Sequence, residues 1–195
     1  MSEKNPNYPL TSADWFKLFL LASFPLHIWT LLMAFRDVNW VAERTTMWDG
    51  VGFVAYALFY TLVESGLLFG FLALLSLLTP RNWDRTLRLT VLGSLGFILA
   101  GWSIIEQLIL IVFYGRLRKL GMAAPGVFSP TWIPMLFLGI LIVLSTALPI
   151  WLLRTKPGLR KGLDTIFDRL ILLSGLYLFL DLAGIIVIII RNTGG

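Results

Sequence analysis

Five long apolar stretches, residues 15–35, 51–79, 89–114, 131–153 and 170–190, alternate with short segments that hold nearly all the charge. Each can cross about 30 Å of hydrocarbon at about 1.5 Å rise per residue, and hydrocarbon obliges the backbone to satisfy its polar groups internally. The pattern therefore predicts an all-α polytopic transmembrane helical bundle of five spans, with residues 1–195 as a single membrane domain. The second and third stretches exceed the minimum and are expected to tilt or to project into the interface. Composition agrees: 14% of residues are charged, against about 25% in soluble domains. The first stretch follows Thr11 and Ser12, both suited to N-capping, with Asp14 in its first turn where the helix dipole favours negative charge.

Composition also narrows the chemistry. The chain has no Cys and a single His, His27, which excludes thiolate metal sites, thiol nucleophiles and HExxH zinc chemistry. Neither a GxxxxGK[ST] phosphate loop nor a GxSxG nucleophile elbow occurs. Gly50, Gly52 and Ala55 spell GxGxxA, but an apolar span follows and no strand precedes, so the match reads as chance. No cofactor and no metal site are predicted. The net charge of +5 comes from short loops between apolar runs, which points to anionic lipid at the cytoplasmic face and away from nucleic acid.

An odd number of spans separates the termini. Ten of the sixteen Lys and Arg fall on the side of the N-terminus and six on the other, so the positive-inside rule places the N-terminus in the cytoplasm and the C-terminus outside. Most tryptophans fall at span ends, leaving Trp29 and Trp102 within the hydrocarbon. Two connecting segments are more than turns. Residues 36–50 read either as a short helix on the outer surface or as an ordered polar loop. In residues 154–169, Leu159, Leu163, Ile166 and Leu170 recur at helical spacing, predicting an amphipathic interfacial helix before the last span. Arg154, Lys156, Arg160 and Lys161 of this segment would meet lipid headgroups, although ordinary positive-inside bias explains them as well.

Helices in lipid associate through small residues that let backbones approach. Gly66 and Gly70 on the second span and Gly96 and Ala100 on the third lie at overlapping depths, predicting a close antiparallel hairpin with these faces in contact. The same GxxxG spacing can mark a face for a second copy or another membrane protein.

Four ionisable residues fall inside spans: His27, Glu64, Glu106 and Asp181. Each would cost about 2.5–3.5 kcal/mol or more if charged and unpartnered at the bilayer centre. Counting about 1.5 Å per residue puts three of them near the midplane and Glu106 nearer the outer face. At about 100° per residue Glu64 points about 200° away from Gly66, so it should face the first, fourth or fifth span. Pro25 removes the amide donor to the Leu21 carbonyl beside His27. The plainest expectation is that these acids are interhelical glue, bonded to Thr30, Gln107, Ser145, Thr146 or Tyr177. The sharper one is a proton or cation relay built on His27 with the carboxylates.

The function expected is that of a small multipass membrane subunit, anchor or binding protein with no enzymatic activity of its own. A proton- or cation-coupled carrier using His27, Glu64, Glu106 and Asp181 is the alternative. A lipid-directed enzyme using Arg36, Glu43, Arg44 and Asp49 is the third.

Overall fold

The computed structural model describes residues 10–80, 82–119 and 132–193, with side chains described outside 109–138. Lys4, Arg81 and residue 131, the first of the fourth predicted span, lie outside the described residues, as do the side chains of Arg116, Arg118, Lys119 and Trp132. Every described element is helical: α1 Ser12–Arg44, α2 Met47–Leu78, α3 Arg85–Lys119, α4 Trp132–Thr155 and α5 Pro157–Thr193. Four of them, α1, α2, α3 and α5, are long and apolar enough to cross a membrane, and the described part of α4, Gly139–Thr155, is a shorter apolar helix. The protein is a helical membrane bundle, as the apolar pattern predicts.

The first helix starts where its capping residues predict. Thr11 is the N-cap, its side chain accepting from the Asp14 amide while the Asp14 carboxylate reaches back to the Thr11 amide, so two orphan donors are satisfied reciprocally. Its end differs from the expectation. Residues 36–44 are neither a separate surface helix nor a loop but the continuation of α1, because no Gly or Pro interrupts them and their charges are solvated. The chain turns only at Thr45 and Thr46, where Thr46 caps α2. The basic segment before the last span is helical as predicted, and it runs without a break into that span. Pro157, pre-set at the first helical position, begins one helix that ends at Thr193.

Helix α1 is the centre, packed against α2, α3 and α5, while α4 meets only α3 and α5 among the described residues. Leu18 and Ala22 of α1 form a fully buried cluster with Leu72 of α2 and Leu92 of α3. A second cluster, Leu87, Val91 and Leu153, joins α3 to α4. A run of aromatic rings crosses the bundle: Phe167 stacks on Phe97 at 5.6 Å, Phe97 meets Phe24 at 6.0 Å, Phe24 meets Tyr177 at 6.0 Å, and Tyr177 stacks on His27 at 5.6 Å. Gly93 makes room for it, since a Cβ there would lie 2.9 Å from the Phe167 ring.

Ion pairs close both ends. At the end carrying the N-terminus, Arg85 meets buried Asp14 at 2.7 Å, Arg160 meets Asp84 at 2.8 Å and Lys17 meets Asp168 at 3.0 Å. At the other end Arg191 of α5 meets Asp49 at 2.7 Å and lies over the Trp48 ring. Apart from the pair at buried Asp14, these are exposed pairs worth about 0–1 kcal/mol each, so they fix rotation and register more than they stabilise.

The predicted hairpin contact is half present. Gly96 lies close to α2, where a Cβ would be 3.0 Å from Leu72, and Ala100 is buried. Gly66 and Gly70 do not pack within the chain: both are exposed, and among the described residues nothing lies within 4 Å of a Cβ placed on either. The reason is that α1 occupies the position beside α2 that the sequence assigns to α3. The small residues that do bring helices together are Gly50, Gly52, Ala55 and Gly184. Gly50 sits on Val38 and Ala42 of α1, a Cβ at Gly52 would strike the Arg191 guanidinium at 2.7 Å, and a Cβ at Gly184 would lie 3.3 Å from the Ala55 carbonyl. The GxGxxA run is thus a packing seam against α1 and α5.

Candidate functional site

Of the four intramembrane ionisable residues, the structure joins two. His27 of α1 and Asp181 of α5 are 0% and 2% exposed, and the imidazole Nε2 lies 3.0 Å from both carboxylate oxygens. The other ring nitrogen, Nδ1, is 2.8 Å from the Ser23 carbonyl. A carbonyl can only accept, so Nδ1 carries a proton. One further proton lies between Nε2 and the carboxyl group: either an imidazolium donates to a carboxylate, or a carboxylic acid donates to a neutral imidazole. Both arrangements have zero net charge, which is what a dry interior requires. Tyr177 covers one imidazole face, its ring plane within 4° of parallel, and Ser23 holds its own hydroxyl on the Phe19 carbonyl at 2.9 Å. His27 sits two residues beyond Pro25, as the sequence shows, and its bond to the Ser23 carbonyl anchors the ring in that part of α1.

Glu64 and Glu106 do not join this pair. Glu106 is exposed on α3. Glu64 lines a groove of about 220 Å³ between α1, α2 and α3 that neither His27 nor Asp181 lines. Glu64 is itself exposed, and the groove brings it beside residues of the first span and of the third, the span its azimuth was expected to turn it away from. Thr30, Gln107 and Ser145, expected to bond the acids, bond other partners instead. Thr61 gives its hydroxyl proton to the Ala57 carbonyl and accepts from Thr30 at 2.6 Å. The Trp29 indole donates to the Gln107 side-chain carbonyl, and the Trp102 indole donates to Ser145 at 2.9 Å. These two bonds explain why those tryptophans tolerate the hydrocarbon. Ser65, one turn beyond Thr61 on α2, has a fully buried hydroxyl with no partner among the described residues.

Sequence reasoning missed Thr61, the aromatic run and Gly184. The signal for Gly184 was its spacing of three from Asp181, which puts both on one stripe of α5.

The four basic residues around the α4–α5 junction, Arg154, Lys156, Arg160 and Lys161, are divided in use. Arg160 is committed to Asp84, and Arg154 lies over the Trp83 ring at 5.6 Å. Lys156 and Lys161 are exposed. The residues named for a lipid-directed enzyme do not converge: Arg36 pairs with Asp37, Arg44 lies over Trp40, Asp49 pairs with Arg191, and Glu43 is exposed. Among the described residues no group of three or more His, Cys, Asp or Glu could hold a metal ion. Comparison with protein-family models, with curated proteins and with solved structures finds no match in any of the three.

Proposed function

We propose that this chain is a small multi-pass integral membrane protein without a reaction of its own, serving as a subunit, anchor or binding protein inside the bilayer. The observation that carries this reading is a packing face used along only half its length. Gly52 and Gly70 are 18 residues apart, five turns at about 3.6 residues per turn, and so share one side of α2. Ala55 and Gly66, 11 residues apart, share nearly the same side, within about 20°. Helix α5 covers this side at Gly52 and Ala55 and leaves it open at Gly66 and Gly70. A small-residue face open to lipid is what a further transmembrane helix uses, from a partner protein or from a second copy.

The test follows from the open space at Gly70. Extracted in mild detergent and analysed by mass spectrometry, the tagged wild-type protein should retain stoichiometric companions or a second copy. Gly70→Leu should lose them with an unchanged melting midpoint. Recovery of the wild type as a lone monomer defeats the reading. A carrier using all four ionisable groups has less support, since two of the four lie apart from the His27–Asp181 pair.

The proposed orientation has the N-terminus in the cytoplasm, with Lys156 and Lys161 at the anionic inner leaflet. Because the chain has no native Cys, single cysteines report topology directly. Glu43→Cys should react with a membrane-impermeant maleimide in intact cells, and Lys156→Cys only after permeabilisation. The opposite pattern reverses the assignment.

A further inference from the structure

We propose that the groove between α1, α2 and α3 is a binding site for a compact organic cation with an apolar body, held by the Glu64 carboxylate and aromatic ring faces. The charge of the groove is the starting point. Among the described residues, Glu64 is its only ionisable lining residue apart from the Tyr60 phenol, and no described Lys, Arg or His lines it. Two of the other polar groups are engaged across the bundle: Thr61 accepts from Thr30, and the Gln107 carbonyl accepts from the Trp29 indole. An ionised carboxylate in an apolar span requires a counter-charge, and no described side chain lining the groove supplies one.

The lining selects the kind of cation. Trp29, Tyr60 and Phe53 contribute aromatic rings, and ring faces attract a diffuse ammonium charge. A hard metal ion wants about six or more oxygen ligands, whereas the described lining offers one carboxylate, the hydroxyls of Thr30, Thr61 and Tyr60 and one amide carbonyl. An anion finds no cationic partner among the described lining residues. At about 220 Å³ the space is smaller than a usual ligand pocket, so it takes only a compact charged head, with any longer apolar portion leaving toward the bilayer. This site is separate from the Gly66–Gly70 face, because Glu64 lies about 120° around α2 from Gly70. The ligand test and the companion test therefore fail independently.

Equilibrium dialysis of the detergent-solubilised full chain against benzyltrimethylammonium, with empty micelles as baseline, tests the site. Phenylmethanesulfonate, similar in shape and opposite in charge, is the comparison ligand. The expected result is saturable binding of the cation, none of the sulfonate, at least tenfold weaker cation binding by Glu64→Gln, and retention within a few-fold by Glu64→Asp. Absence of saturable cation binding, equal binding of the sulfonate, or unchanged affinity in Glu64→Gln each overturns the proposal.

Discussion

Asp181→Leu should lower the stability of the bundle by about 3–5 kcal/mol, and His27→Leu by a similar amount, because each leaves one member of a fully buried pair without its partner. The double variant His27→Leu/Asp181→Leu should recover most of that loss, since a buried ion pair replaced by apolar side chains is often neutral or stabilising. Asp181→Asn should be mild, at about 1 kcal/mol. Its amide can donate to Nε2, while Nδ1 keeps its bond to the Ser23 carbonyl, so the electroneutral arrangement survives. Melting midpoints and reversible unfolding in micelles measure all four. If the double variant is as damaged as the singles, the pair contributes more than mutual neutralisation, and the relay reading regains ground.

Gly184→Leu should destabilise by about 1–3 kcal/mol through overpacking, while Gly70→Leu leaves the isolated chain as stable as before. The two substitutions are chemically identical and both lie on faces of small residues. At Gly184 even the first carbon meets the α2 backbone, 3.3 Å from the Ala55 carbonyl oxygen and 3.5 Å from the Ala55 Cα, and backbone cannot swing aside. At Gly70 the same carbon meets nothing within 4 Å among the described residues. Equal melting midpoints for the two variants would contradict the arrangement of α5 on α2.

Much of this architecture was legible from hydropathy alone, because a span must satisfy its backbone internally whatever its neighbours are. The cap at Thr11 was legible too, being local chemistry within four residues. What resisted was the choice of neighbours. Overlapping depth of Gly66 and Gly96 suggested that α2 and α3 meet along both, yet depth is shared by all helices of a bundle and does not say which pair is adjacent. Placement of α1 between them depends on the fit of Leu18, Ala22, Leu72 and Leu92, a matter of shape that no spacing encodes. For the same reason His27 and Asp181 could be singled out as costly in lipid, but their pairing rather than a fourfold cluster rests on helix order. The seam at Gly50, Gly52 and Ala55 was visible as a spacing and set aside because it was compared with a phosphate loop.

The distance along the chain between His27 and Asp181, 154 residues, has a consequence for how the protein is made. A ribosome delivers α1 to the membrane long before α5 exists, so His27 enters without its carboxylate partner, though the Ser23 carbonyl that takes its Nδ1 proton is already present one turn back. Asp181 must then be carried in by its own helix. The most apolar stretch of α5 has a mean hydropathy of 2.4, the highest such stretch of the four long spans, and the uninterrupted run Ile185 to Ile190 begins one turn after Asp181. At about −0.3 to −0.6 kcal/mol per aliphatic residue, those six side chains offset an insertion penalty of about 2.5–3.5 kcal/mol for the acid. The last helix is greasy enough to bring its own polar clasp to a partner that has been waiting since the start of synthesis.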